Sequence, residues 1–253
     1  MTALDLAPAG TAAPRRLRVW RHALMEAKLI VRNGEQLLLA LVIPLGLLIA
    51  RAAAGDRLGI PREAFAASVI ALGLWSTGFT TLAVATGFER RYGVLERLVA
   101  TPLRRVDLLL GKAVSVTLLA LGQAAVLAVT ALVTGWAPRP SVGQTLVVVV
   151  AVPLALLSFA ALALALAGSL SAELTLALSN LVYLAGAALG VLVPSAQFPA
   201  WLRPVVDLLP TTALANALRT WADGGLDPLP LAVLAVWAVV GLALARKVFR
   251  WTS

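Results

Sequence analysis

Long apolar stretches without charge alternate with short charged segments along the chain. Ala64 to Phe88 and Ala113 to Ala137 contain no Asp, Glu, Lys or Arg, and each is long enough to cross a hydrocarbon core about 30 Å thick. The same pattern predicts six spans, at about 35–54, 64–87, 110–136, 142–168, 174–194 and 229–245. No segment shows the alternation of a membrane barrel strand. The expected fold is therefore an all-α membrane protein with six transmembrane helices.

The first predicted span is the weakest of the six. Its uncharged core, Gln36 to Ala50, has only fifteen residues before Arg51. Arg51 must therefore either snorkel along its own apolar stem or lie in the membrane interface.

The composition excludes several classes of protein. Hydrophobic residues make up 60% and charged residues 13% of the 253 residues, with a mean hydropathy of +0.92, whereas charged residues are about a quarter of a soluble domain. Cysteine is absent, which excludes disulfides and thiolate sites. His22 is the only histidine, so neither a metal site nor a histidine-dependent triad is expected.

The distribution of Lys and Arg predicts the orientation. Six spans place both termini on one side, and that side holds fifteen of the 21 Lys and Arg residues, against six on the other. Because positive residues concentrate on the cytoplasmic side, both termini and the loop after the second span should be cytoplasmic, in the inner cell membrane. The net charge of +9 then reflects topology, and no basic domain outside the membrane is left to bind nucleic acid.

Residues 15–32 have the pattern of an amphipathic helix, after a small and polar N-terminal tail, 1–14, that is expected to be flexible. Leu17, Trp20, Leu24, Ala27 and Val31 recur at spacings of three and four, and Arg18, Arg21, Lys28 and Arg32 fall on another face. We predict a helix in the cytoplasmic interface. It is either a plain anchor or a lever that connects a partner to the first span, and the sequence does not separate the two. Residues 15–253 are expected to form one transmembrane domain.

The segment before the last span, residues 195–228, is apolar but interrupted by proline. Pro194, Pro199, Pro204 and Pro210 exclude a single span. Short helices that re-enter the membrane from the outer side fit this pattern, since broken backbone is tolerated at membrane depth where protein or water covers it. Both an exit lid and a passive cap agree with the sequence.

A charged, helix-forming segment, residues 89–103, lies between the second and third spans. Glu89 and Glu96 are seven residues apart, so one helix would place both on the same face. Gly93 permits close backbone approach, and Thr101-Pro102 would end the helix. The segment is either a docking surface for another protein or a solvated loop helix whose charges pair with each other.

The segment contains Glu89-Arg90, Gly93, Leu95-Glu96, Leu98 and Ala100-Thr101-Pro102-Leu103, and Gly111-Lys112 begins the next span. This set resembles the cytoplasmic loop of ABC exporter permeases of the type-2 class, which includes drug-resistance, polysaccharide and lipo-oligosaccharide exporters. The chain is similar to that class in length, span order, N-terminal helix and broken outer region. It departs from the class at Arg91, where an acidic residue is usual, and at Val94, where Thr is usual.

The resemblance implies that residues 89–98 form a coupling helix seated in a separate ATPase subunit. The implied contacts are Glu89, Arg90, Tyr92, Gly93, Glu96, Arg97 and Pro102. ATP and Mg would bind in the ATPase, which is present in two copies, and a second permease chain, identical or similar, would complete the complex. No cofactor is expected in this chain, which lacks the G-x-x-x-x-G-K-[ST] pattern. It is therefore not expected to be an enzyme.

The resemblance also implies a substrate path between the second and fifth spans. The candidate contacts are the polar residues Thr77, Thr80, Thr81, Gln123, Ser179, Asn180 and Tyr183, with Ser76 beside them. Hydroxyls in apolar helices also bond their own backbone or a neighbouring helix. A mostly apolar path suits a hydrophobic or amphiphilic substrate, such as a drug, a lipid or a lipid-linked glycan. Gly186 and Gly190 form a G-x-x-x-G pattern for helix packing or dimerisation.

Two other classes of function agree with six spans. An intramembrane lipid-modifying enzyme would need clustered carboxylates with a metal, or a histidine and basic set, but Glu89, Glu96, Asp107 and Glu173 are scattered along the chain and its only histidine is isolated. A non-transporting membrane scaffold would need no ATPase partner.

Overall fold

The computed structural model describes residues 13–32, 34–54, 62–99 and 104–249, and these ranges contain helices and no strand. The eleven α-helices in them are α1 Arg15–Arg32, α2 Gly34–Ala54, α3 Arg62–Trp75, α4 Leu82–Arg91, α5 Val94–Val99, α6 Arg105–Val133, α7 Val142–Ser169, α8 Ala172–Gly186, α9 Arg203–Asp207, α10 Pro210–Asp223 and α11 Leu229–Val248. This confirms the all-α prediction. The predicted flexible tail lies outside the described residues except for positions 13 and 14.

Five helical runs in the described part are long and apolar enough to cross a membrane. They are Glu63–Arg91, Arg105–Val133, Val142–Ser169, Ala172–Val191 and Leu229–Val248. The chain is therefore a multi-pass membrane protein. The described apolar part of α2 is Ala40–Ala54, so the count of six spans stays a prediction.

Small residues let the long helices pack closely. α7 lies along α11, and α10 packs against α3 and α7. A Cβ added at Gly241 of α11 would be 3.0 Å from the Ala161 Cβ of α7. Because lipid offers no hydrophobic drive for helix association, such close contact is what holds membrane helices together.

The first long run contains a π-helical segment, Ser76–Thr81, between α3 and α4. Such wide turns interrupt the regular hydrogen-bond ladder and often occur at functional sites. Three of the predicted path residues, Thr77, Thr80 and Thr81, belong to this segment.

The prediction of one helix over residues 89–98 was wrong. α4 ends at Arg91, Tyr92 and Gly93 form a turn, and α5 begins at Val94. Gly93 has φ +66°, a left-handed conformation that glycine adopts without the steric cost of a Cβ. The Tyr92 N–H donates to Phe88 O at 2.9 Å and the Gly93 N–H to Arg90 O at 3.1 Å. Glu89 and Glu96 therefore do not share a helical face.

The run that begins with α8 also breaks. It passes through a π segment, Ala187–Val191, inside which Leu189 and Gly190 leave the helical conformation, with φ +88° at Gly190. The regular helical face implied by the G-x-x-x-G pattern therefore does not form. A 3₁₀ turn at Ser195–Gln197 follows, then α9 and α10. Re-entry of this region into the membrane stays a prediction.

Candidate functional site

The turn at Tyr92-Gly93 and α5 together form a polar, solvent-facing segment, which we call the turn–α5 segment (residues 91–99). The Tyr92 side chain is 63% exposed, and Glu96 and Arg97 are exposed as well. Leu95 is fully buried and anchors α5. No described residue lies within 4 Å of the position that a Cβ would take on Gly93. The segment therefore presents three of the predicted contact residues outward.

Two other predicted contacts, Glu89 and Arg90, turn inward. The Glu89 carboxylate pairs with the Lys112 ammonium of α6, and the Arg90 guanidinium donates to the Leu170 carbonyl after α7. These contacts fix α4 against two neighbouring helices just before the turn. The remaining predicted contact, Pro102, lies outside the described residues.

The Lys112 ammonium lies between two carboxylates. Its Nζ is 3.0 Å from Glu26 Oε2 of α1 and also contacts Glu89. The Lys112 side chain is 1% exposed. The cluster Glu26–Lys112–Glu89 therefore ties α1, α4 and α6 together beside the turn–α5 segment.

Sequence reasoning missed Glu26 and Lys112 as a pair. The available signals were an acidic residue inside a basic helix and a lysine at the start of an apolar run. Their pairing connects positions 86 residues apart, which helical periodicity does not predict.

The helix α1 packs against α6 through a partly polar face. His22, Ala23 and Glu26 are buried there, and Arg15 Nε donates to Asp107 Oδ1 at 2.7 Å. The predicted apolar stripe points away from the protein, since Trp20 and Leu24 are largely exposed. This arrangement suits a helix that contacts lipid on one face and protein on another.

Burial lowers the pKa of His22 below its ordinary value, because desolvation penalises the imidazolium. The Lys112 charge acts in the same direction and the Glu26 charge opposes it. His22 Nε2 lies 3.6 Å from Glu26 Oε1. A Cβ at Gly111 would overlap the His22 ring, so glycine at that position permits the close approach of α1 and α6.

A groove of about 910 Å³ runs beside the π segment, between α1, α2, α4 and α8. Four of the predicted path residues line it, namely Thr80, Thr81, Asn180 and Tyr183, together with Ser76. Its wall also includes Glu26, Glu89 and Tyr92. The groove thus brings the cluster and the predicted path residues to one surface.

Three other predicted path residues pack inside the protein. The Thr77 hydroxyl donates to Gln123 Oε1, and Gln123 Nε2 donates to the Ala40 carbonyl at 2.7 Å. This chain of contacts joins the π segment, α6 and α2. The Ser179 hydroxyl is buried and donates to Leu176 O at 3.1 Å. Thr77 and Gln123 thus hold helices together, and Ser179 bonds its own helix; both are alternative roles of polar groups in apolar helices.

Gly186 and Gly190 contact other parts of the same chain. A Cβ on Gly186 would be 3.0 Å from Trp75 Nε1, and a Cβ on Gly190 would overlap the Thr212 hydroxyl of α10. Thr212 Oγ1 donates to Leu189 O at 3.1 Å, and the Arg219 guanidinium donates to Gly190 O. The break after α8 is therefore held by α10.

No group of three or more His, Cys, Asp or Glu residues that could hold a metal ion occurs in the described ranges.

The sequence model of one protein family matches most of the chain. The family is described as ABC-2 family transporter protein, and the match covers residues 62–247. It extends from the start of α3 to the penultimate residue of α11 and includes the turn–α5 segment. No curated protein matches the chain.

Proposed function

Because this chain belongs to the ABC-2 family of transporter proteins, we propose that it is the permease subunit of an ATP-driven exporter. It would move a hydrophobic or amphiphilic substrate, such as a drug, a lipid or a lipid-linked glycan, out of the cytoplasm. A separate ATPase subunit, two copies per complex, would bind ATP and Mg and supply the energy.

The observation that carries this proposal is the braced turn–α5 segment. Tyr92, Glu96 and Arg97 face outward, whereas Glu89 and Arg90 hold the preceding helix to α6 and to the end of α7. A force applied to the solvent-facing side of the turn–α5 segment would therefore pass into two long helices. This is the arrangement that a docking site for a force-generating subunit requires.

The membrane topology in the proposal has six spans. α2 is the first, followed by the five longer runs, and both termini lie in the cytoplasm. The distribution of Lys and Arg supports this orientation. The membrane would be the inner cell membrane, and the broken region 195–228 would lie on the outer side as a lid.

The open groove supports assembly with a second permease chain, identical or similar. Its wall carries hydroxyl and amide groups from the second and fifth predicted spans, and a wall on the opposite side is needed to enclose a substrate. A second copy of the same surface would complete a path between the chains.

The test is ATP hydrolysis by the purified permease–ATPase complex. Glu96→Lys reverses an exposed charge in the turn–α5 segment, and it should prevent assembly or uncouple hydrolysis from substrate. Arg203→Glu reverses an exposed charge on the opposite side and should leave hydrolysis unchanged. Normal substrate-stimulated hydrolysis by the Glu96→Lys complex would contradict the docking site. Failure of the wild-type chain to bind any ATPase would contradict the exporter itself.

A further inference from the structure

One end of the groove is acidic and aromatic. Glu26 and Glu89 line it together with Phe88 and Tyr92, and its described lining contains no Lys or Arg. The remainder of the wall is mostly apolar, with residues such as Val84, Ala85 and Leu176. The cavity therefore combines a negative end with a long apolar surface.

The charges in this end do not balance. Two carboxylates contact the single Lys112 ammonium, which is 1% exposed, whereas the Glu89 side chain is 22% exposed. Glu26 and Glu89 belong to the described lining of the groove and Lys112 does not, so the wall presents the carboxylates. An uncompensated carboxylate in apolar surroundings is costly unless it takes up a proton or a cation approaches it.

Three described cationic or titratable neighbours make other contacts. His22 adjoins Glu26, and burial lowers its pKa, which favours the neutral imidazole. Arg15 pairs with Asp107, and Arg91 pairs with Glu173 while its guanidinium lies 5.9 Å from the centre of the Tyr92 ring. A cation bound in the groove would bring a further positive charge to the two carboxylates that line it.

The aromatic rings at the same end suit an organic cation. The Phe88 and Tyr92 rings stack with their centroids 6.2 Å apart, and both line the groove. Ring faces attract cations through their quadrupole, most strongly where water is excluded. Farther along, Thr80 Oγ1 is buried and makes no hydrogen bond to the described residues, which leaves a polar group for a bound molecule.

We propose that the groove binds an amphiphilic organic cation, with its charged head at Glu26, Glu89 and Phe88 and its apolar body along Val84, Ala85 and Leu176. The role of this cation as the transported substrate rests on the proposed exporter function. Binding itself does not, and it is measured on the permease alone.

The experiment compares two hydrophobic ions of matched shape and opposite charge, tetraphenylphosphonium and tetraphenylborate. Equilibrium binding is measured with the full chain in phosphatidylcholine nanodiscs, and partition into empty nanodiscs is subtracted. The cation should bind saturably, and the anion should show no binding beyond partition. This comparison needs only the wild-type protein.

Two variants then test whether the carboxylates of Glu26 and Glu89 contribute to cation binding. Glu26→Gln and Glu89→Gln each leave Lys112 with one carboxylate, so the fold should be retained. Each should weaken cation binding by about tenfold or more, because the attraction between two unit charges about 4 Å apart corresponds to roughly fivefold in water and to roughly several hundredfold at the lower dielectric near a protein surface. Asp223→Asn removes an exposed carboxylate outside the groove lining and is the control; it should leave affinity unchanged.

Equal binding of the two ions, or wild-type affinity in both Gln variants, would overturn the proposal. Either result would leave the exporter intact if the complex still couples ATP hydrolysis to substrate. Cation binding by a chain that binds no ATPase would instead support the cation-binding site in the groove and contradict the proposed exporter function.

Discussion

The Lys112 ammonium of α6 lies 3.0 Å from the Glu26 carboxylate of α1, with both side chains almost completely buried. The same ammonium contacts Glu89, two residues before the turn–α5 segment. The interfacial helix and the turn–α5 segment are therefore connected through a single side chain.

Replacement of Lys112 should be strongly destabilising. Lys112→Met would leave two buried carboxylates without a counter-charge, and breaking such a pair costs about 3–5 kcal/mol. The thermal midpoint in detergent should fall accordingly. Lys28→Met, at an exposed position of α1, should have little effect. The triple variant Lys112→Met, Glu26→Gln, Glu89→Gln should recover much of the loss, and no recovery would show that the ammonium acts through packing alone.

Alanine at position 93 should weaken docking of the ATPase. Gly93 and Gly122 both have open space where a Cβ would lie, but only Gly93 has a positive φ. Gly93→Ala should cost about 1 kcal/mol or more of turn stability and reduce co-purification of the ATPase, whereas Gly122→Ala should not. Equal co-purification by both variants would show that the left-handed turn is dispensable.

Alanine at position 190 should disturb the contact between α8 and α10 for two separable reasons. Gly190 has φ +88°, and an added Cβ would overlap the Thr212 side chain. Gly190→Ala should lower the thermal midpoint, and adding Thr212→Ala should restore part of it by removing the overlap. Full restoration would mean that the backbone conformation carries no cost at this position.

Cysteine labelling should establish the topology, because the chain has no native cysteine. Arg139→Cys and Asp223→Cys should react with an impermeant thiol reagent added outside cells, and Arg91→Cys should react only after permeabilisation. Labelling of position 91 from outside would contradict the six-span orientation.

Acid should loosen the docking of α1. The native pKa of His22 lies below its ordinary value of 6.5, so as the pH falls the unfolded chain takes up this proton before the folded one. Stability therefore decreases as the pH drops below about 6.5, down to the native pKa. The thermal midpoint between pH 7.5 and pH 5 should fall more in the wild type than in His22→Gln. Identical pH profiles would exclude His22 as the cause.

The long helices could be predicted from the sequence because their signal is local. An uncharged run such as Ala113 to Ala137 must be solvated by lipid, and its backbone must then be helical. The helix over residues 15–32 could be predicted for the same reason, because the spacing of its apolar residues is also a local signal. The family match at residues 62–247 agrees with the resemblance seen in the charged segment.

The site was predicted less completely because its contacts are long-range. The sequence suggests that Glu89 faces a partner, but the carboxylate pairs with Lys112, which the chain brings back from the next helix. Thr77 and Gln123 were predicted as path residues, yet they bond each other between helices. The turn at Gly93 was missed because the flanking residues favour helix. The helix ends there because Gly93 adopts a left-handed conformation, with φ +66°, and the residues around it do not reveal that angle.

The cluster Glu26–Lys112–Glu89 also limits how this protein can evolve. A substitution at position 26, 89 or 112 changes the charge that the other two experience in an apolar environment. A lineage that loses the lysine first would pass through a poorly folding intermediate, whereas one that first neutralises a carboxylate would not. Among related sequences, we therefore expect these three positions to vary together and acidic losses to precede loss of the lysine.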